Sequence, residues 1–371
     1  MNRHLIKECK RCVVKIGSAL LTDDGAGLDI AMIEGLAKQL AWLRQQDIEV
    51  LLVSSGSVAA GVSQLGMSRR PERINQLQAA AAVGQASLVR QYEQAFQPYD
   101  LTIAQVLLTH ADVANRERYL NAKSTLSTLL DFRVITVINE NDTVATEEIC
   151  FGDNDNLAAL VTNMVDADLL IILTDQDGLY TADPRSSKNA KLLHHVDAND
   201  DSVMAMASGG SAVGRGGMVT KLTAVQTASH SGANTIIASG SEPNIIRRLF
   251  AGEQLGTFFK ADRQLASRKQ WMAGQFKICG SVTVDKGAAR VLKSAGRSLL
   301  PVGIIAVEGD FNRGELIACL DQAGNEIARG LSNYSTLEAR KIIGQTSDLI
   351  SELLGYGGQD EFIHRDNLVL L

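Results

Sequence analysis

The feature that most restricts how this chain can fold is a series of short apolar runs, residues 11–16 (RCVVKI), 50–53, 103–108, 134–138, 169–173 and 235–238. Runs of that length, rich in Val, Ile and Leu, read as strands buried on both faces. Helical stretches separate them. Over residues 30–43, Ile33, Leu36, Ala37, Leu40 and Ala41 recur at three- and four-residue steps, which lines up one apolar helix face. Residues 73–96 (rich in Ala and Gln), 116–130, 156–164 and 218–230 supply further helices. Strands alternating with helices predict an α/β fold: a mostly parallel sheet sandwiched by helices.

Past residue 260 the texture changes. Phe258-Phe259-Lys260 closes the last strand of the series, and a mixed charged segment follows. The expected organisation is a first domain over residues 1–262, a linker over 263–275, a small β-rich domain over 276–356 and a C-terminal tail over 357–371. In the second domain, strands are expected at 281–284, 303–307, 316–320 and 326–330, with a helix near 288–294. With 371 residues, 45% of them hydrophobic, the chain can fill two cores.

A net charge of −6 gives no general basic field to draw the chain onto nucleic acid or anionic membranes. The longest mostly apolar stretch, residues 299–307, is half the length of a membrane span, and the N-terminus turns polar before any signal-like apolar segment forms. A cytoplasmic protein without membrane contact is expected. Cys9 and Cys12 form one CxxC, while Cys150, Cys279 and Cys319 stand apart. No second ligand pair accompanies the CxxC, so all five read as free thiols and no metal site is expected.

In an open parallel sheet, ligands bind beyond the carboxyl ends of the strands. Here those ends carry Lys15-Ile16-Gly17-Ser18, Ser54-Ser55-Gly56-Ser57, Asn139-Glu140-Asn141-Asp142 and Thr174-Asp175-Gln176-Asp177-Gly178. Phe151-Gly152-Asp153-Asn154-Asp155-Asn156 opens one helix, and Gly214-Arg215-Gly216-Gly217-Met218-Val219-Thr220-Lys221 opens another. Glycines let backbone N–H groups approach an anion at a helix N-terminus, so a Gly-rich turn ending in Lys reads as a phosphate clamp. Neither GxxxxGK[ST] nor GxGxxG is present. Taken singly, a strand-end Ser is usually a helix cap and a lone Lys a solvated charge. Their meaning comes from gathering at one sheet edge.

These segments, V-V-K-I-G-S, S-S-G-S-V-A-A-G, N-E-N-D-T-V, F-G-D-N-D, L-T-D-Q-D-G-L-Y-T-A-D-P-R and G-R-G-G-M-V-T-K, together resemble the amino acid kinase family. G-A-A-R-V-L and V-E-G-D-F-N-R-G resemble a PUA domain (pseudouridine synthase and archaeosine transglycosylase). The resemblance covers nearly the whole chain. Within the family, N-E-N-D together with the appended domain implies ATP-dependent phosphorylation of the γ-carboxylate of L-glutamate to L-glutamyl 5-phosphate, the first step of proline biosynthesis. It further implies feedback inhibition by proline, a separate glutamyl phosphate reductase to take the product, and a homo-oligomer. Relatives acting on aspartate or N-acetylglutamate are the alternatives. RNA binding through the PUA domain is another, though residues 276–371 hold ten Lys and Arg against twelve Asp and Glu, a poor footprint for RNA.

Carried over by position, the resemblance makes Ser55, Asp142 and Asn154 substrate-binding, while the charge of the reaction makes Lys15, Lys221 and Asp155 the catalytic candidates. The resemblance gives the nucleotide to Lys15, Thr174, Asp175 and the turn Arg215, Gly216, Gly217, Met218, Val219, Thr220 and Lys221. Two positions depart from the family pattern: Ser57, commonly Ala, and Arg215, commonly Thr. The chemistry is consistent with these roles. A glutamate side chain, pKa about 4.3, is already ionised at neutral pH and attacks phosphorus without a general base. What it needs is positive charge on the transferring phosphoryl group, here Lys15 and Lys221 with magnesium on the ATP. An aspartate between the lysines would hold both; Asp155 is the first choice and Asp153 the second. Asp142 suits the substrate ammonium, and the Asn154 amide a substrate carboxylate.

Overall fold

The computed structural model describes residues 2–22, 27–145, 154–184, 187, 189–200, 203–204, 217–261, 278–295 and 297–371. The chain forms two compact units, one of Met1–Val113 with Lys123–Gln264 and one of Ala114–Ala122 with Leu265–Leu371. The expected linker over 263–275 lies outside the described residues.

The first unit is built on strands β1 (Arg11–Ile16), β2 (Glu49–Ser54), β3 (Ile103–Leu108), β4 (Ile135–Glu140), β5 (Leu169–Thr174), β6 (His195–Asp197), β7 (Asn234–Ser239) and β8 (Thr257–Lys260). They form one sheet in the order β3-β4-β2-β1-β5-β7-β8-β6. Every pairing is parallel except β7 with β8. The helices are α1 (Ser18–Leu21), α2 (Ile30–Gln45), α3 (Ser57–Gln64), α4 (Ile74–Phe96), α5 (His110–Ala114), α6 (Arg116–Asp131, which belongs to this unit from Lys123 on), α7 (Asn154–Met164), α8 (Met218–Ser229) and α9 (Ile245–Phe250).

β4, β5 and β7 are buried at every position, as the unbroken apolar runs predict. Val14, Ile16, Leu52, Val137 and Ile171 from the sheet pack with Ile33, Leu36, Leu40, Tyr92 and Phe96 of α2 and α4. β6 is a short strand with two exposed residues, and the sequence carries no apolar run to announce it. In register, Ile16 lies opposite Ser54 on one side and Leu173 on the other, so β1, β2 and β5 end level. The chain passes from β1 to β2 on one side of β1 and returns to β5 on the other, the kind of switch point where open sheets bind ligands.

One helix pair is packed unusually closely. A Cβ on Gly61 of α3 would stand 1.7 Å from the Ala80 carbonyl oxygen of α4, and one on Gly84 would stand 1.9 Å from the Ser57 carbonyl oxygen. The helices therefore meet backbone to backbone. α3 begins at Gly56, whose φ of 102° belongs to the left-handed region and turns the chain sharply at the end of β2. Ser54 Oγ lies 2.8 Å from Tyr92 Oη, tying α4 to that same strand end.

The second unit contains β9 (Gly280–Val284), β10 (Ile304–Gly309), β11 (Leu316–Leu320), β12 (Glu326–Leu331) and β13 (Leu368–Leu370), in the order β10-β9-β11-β12-β13. Its helices are α10 (Lys286–Ala295), α11 (Thr336–Ile342) and α12 (Ile350–Leu354). The expected tail over 357–371 is corrected here. β13 pairs antiparallel with β12 from Ala328 to Gly330, and Phe362, Ile363 and Leu368 are buried with Val282, Ile317 and Tyr334. One apolar pair, Phe362-Ile363, and a three-residue strand among charged neighbours are too short for a periodicity to emerge. α11 was also missed, although Ser335 and Glu338 close a capping box at its start. Among the described residues no helix is long and apolar enough to cross a membrane. Cys9, Cys12, Cys279 and Cys319 are free thiols. Cys150 lies outside the described residues.

Candidate active site

Lys15 is on β1, one residue before its end, and is 5% exposed. Lys221 is in the first turn of α8 at 4%, and Asp155 in the first turn of α7 at 1%. The structure brings the three together. Lys15 Nζ forms an ion pair with Asp155 Oδ1, and Lys221 Nζ lies 3.2 Å from Asp155 Oδ2. Thr220 Oγ1 lies 3.1 Å from the same Oδ2 and 2.9 Å from the Gly217 carbonyl, two acceptors that share its single proton at the start of α8. Burial alone would raise the Asp155 pKa. The two ammonium groups outweigh it and hold the carboxyl below its ordinary value. Its place at a helix N-terminus favours the ionised form as well.

This trio leaves one carboxylate facing two cations, so an excess of positive charge sits in a nearly dry setting. Polyphosphate oxygens fit such a charge, and a helix N-terminus such as that of the half-buried first turn of α8 offers N–H groups to them. Gly17, two residues past Lys15, donates its N–H to the Leu173 carbonyl at 3.1 Å. Thr174 ends β5 beside it, buried, its hydroxyl donating to Asp175 Oδ1 at 2.9 Å, while Asp175 is exposed. Gly217, Met218, Val219, Thr220 and Lys221 open α8. Arg215, Gly216 and Asp153 lie outside the described residues.

Asn154, the residue before Asp155, faces a different set of groups. Its Nδ2 donates to the Ser54 carbonyl at 2.8 Å and to Asn139 Oδ1 at 2.9 Å, and Ser55 Oγ lies 3.0 Å away. This corrects the expectation that the Asn154 amide nitrogen would serve a substrate carboxylate, because the nitrogen is turned inward onto protein acceptors. Reversing the amide would set its oxygen against two other oxygens. Oδ1 is the acceptor atom of that amide, and the hydroxyl of Ser55 is the neighbouring donor.

Asp142 follows β4 and accepts from Ser57 Oγ at 2.8 Å. Burial raises the Asp142 pKa; the Ser57 hydroxyl and the charge of Arg70 oppose the shift. Asn139 and Gln85 went without a role in the sequence reading. Asn139 Nδ2 donates to Gln85 Oε1 at 2.7 Å, both residues being buried. The available signal for Gln85 was a polar residue on the inward face of an Ala-rich helix.

Consecutive residues of α7 thus divide the site. Asn154 belongs to a pocket of hydroxyl, amide and carboxylate groups at the ends of β2 and β4, and Asp155 to a pair of lysines at the end of β1 and the start of α8. The first suits an amino acid and the second a phosphate chain.

A model described as the Amino acid kinase family matches residues 10–239, and one for the PUA domain matches residues 280–354. A curated protein of Methylococcus capsulatus called Glutamate 5-kinase is 57% identical over 371 residues, covering 100% of this chain and 99% of its own. Another of that name from Nitrosococcus oceani is 55% identical over 372 residues, with the same coverage of 100% and 99%. Among solved structures, carbamate kinase from Giardia lamblia bound to AMP-PNP shares the fold at a TM-score of 0.52 and 17% identity, over 69% of this chain and 100% of that one.

Proposed function

The chain belongs to the amino acid kinase family, with a PUA domain after the kinase domain, and we propose that it transfers the γ-phosphoryl group of ATP to the γ-carboxylate of L-glutamate. The observation that supports this reading is the Asn154–Asp155 step, which sets a cluster of Ser and Asn groups directly beside a buried lysine pair. Full-length relatives called Glutamate 5-kinase support glutamate as the acid.

In the Asn154 pocket, Asp142 and Asn154 Oδ1 would accept from the substrate ammonium and the Ser55 hydroxyl would donate to its α-carboxylate. The γ-carboxylate would then point towards the lysines. It is ionised at neutral pH, so no base is required. Lys15 and Lys221 would meet the charge that spreads over the transferring oxygens and the departing ADP, and Asp155 keeps both ammonium groups in place before ATP arrives. Thr174 and Asp175, at the end of β5, would contact the nucleotide. Magnesium carried by the nucleotide would neutralise part of its phosphate charge.

The product is an acyl phosphate prone to cyclisation and hydrolysis, so a separate reductase would consume it. Proline keeps an α-carboxylate and a charged nitrogen without a side-chain acid. It would compete for Asp142 and Asn154 and raise the apparent KM for glutamate.

The test is ADP release with glutamate, aspartate and N-acetylglutamate, with hydroxylamine to trap any acyl phosphate. A hydroxamate from glutamate alone is expected; one from another acid in preference would overturn the assignment. Initial rates over a grid of glutamate and proline should show inhibition that saturating glutamate relieves.

A further inference from the structure

Three amides stand in line behind the amino-acid pocket, and their polarity is fixed by the backbone. The Glu140 N–H donates to Asn139 Oδ1 at 2.9 Å, so Asn139 must point its oxygen that way. That same oxygen accepts from Asn154 Nδ2, which also donates to the Ser54 carbonyl. Asn139 Nδ2 is then left facing α4, where it needs an acceptor. Gln85 supplies one, at 2.7 Å.

Gln85 carries a cost in doing so. Turning Oε1 to Asn139 leaves its own Nε2 buried and without a partner among the described residues. An orphaned buried donor is destabilising, and a protein retains one where another demand overrides stability. Here the other demand is visible in the line of amides.

We propose that Gln85 is a positioning residue for amino-acid recognition. By accepting from Asn139 it holds Asn139, and through it Asn154, in the one orientation that presents Asn154 Oδ1 to the substrate ammonium. The inference rests on the reading of Asn154 as a glutamate contact. It adds a residue that touches no reacting atom.

The experiment compares Gln85→Met, which keeps the length of the side chain and removes the acceptor, with Gln85→Glu, which keeps the acceptor. Gln85→Ala stands in should the Met variant fail to fold, and Asn154→Ala is measured alongside. Gln85→Met should raise the glutamate KM about tenfold, with kcat and the ATP KM within about twofold, the scale of one misplaced hydrogen bond. Gln85→Glu should stay within about threefold of wild type in the same constant. A merely structural role would move both KM values, or would be disturbed at least as much by a buried charge. The proposal is overturned if Gln85→Met leaves the glutamate KM unchanged while Asn154→Ala raises it, or if Gln85→Glu is as impaired as Gln85→Met. An Asn154→Ala variant with unaltered glutamate KM would instead sink the underlying reading of the pocket.

Discussion

Replacing Asp155 by Asn keeps the shape of the site and removes one charge. Lys15 and Lys221 sit against opposite oxygens of that carboxylate, so their ammonium groups lie about 5 Å apart, and at an effective dielectric of about 20 two like charges at that distance repel by about 3 kcal/mol. Removing one partner of a buried ion pair costs a comparable ~3–5 kcal/mol. In a unit of this size 3 kcal/mol lowers the melting temperature by about 6–12 °C. Two further signs follow. ATP brings negative charge to the same place, so its stabilising effect should be larger in Asp155→Asn than in wild type. On the acid side, wild-type Asp155 has a depressed pKa in the folded state. Its stabilisation is present above the unfolded value of about 3.9 and is lost as pH falls through the folded value, a loss the variant cannot show. Thermal melts with and without ATP, from acid to alkaline pH, read all three. A variant that melts with wild type at pH 7 and gains no more from ATP would refute the account of Asp155 as the group holding the lysines.

Lys221→Ala should lower kcat by two or more orders of magnitude while changing the glutamate dissociation constant little, because its charge is needed most in the transition state; single-turnover rates and an equilibrium titration separate the two. Ser57→Ala removes a donor that favours the ionised form of Asp142, so the carboxyl pKa, already raised by burial against the pull of Arg70, rises further. The glutamate KM should then increase about three- to tenfold and begin its climb on acidification at a higher pH than in wild type; superimposable pH profiles would count against the contact. Gly61→Ala should cost about 3 kcal/mol, measured by chemical denaturation, since its Cβ would fall on the Ala80 carbonyl.

The alternation of apolar runs and helical periodicity made the first unit legible because a buried parallel sheet leaves an unbroken Val, Ile and Leu trace. Strands of the kind in β6 leave none, since three half-exposed residues carry no pattern. The same limit hid β13, whose hydrogen bonds and burial come from partners some forty residues away in sequence. At the site, chain position alone placed Lys15, Asn154, Asp155 and Lys221 at helix starts and strand ends. Orientation was another matter. Whether Asn154 offers nitrogen or oxygen depends on the Ser54 carbonyl and on Asn139, and a sequence does not say which way an amide turns. Gln85 was invisible for the same reason, being one more polar residue in a helix until Asn139 is set beside it.

The backbone contact between Gly61 and Ala80, and between Gly84 and Ser57, makes the wall that carries Ser55, Ser57 and Gln85 a fixed jaw. Neither helix can slide along the other without a main-chain collision, so the residues on this wall keep their spacing. The same restriction channels how such an enzyme can change its diet. A longer or shorter acid cannot be accommodated by shifting this wall, and must instead be met by exchanging the side chains that the wall displays. Ser55 and Ser57, with their small polar side chains, then become the adjustable teeth of an otherwise immovable part.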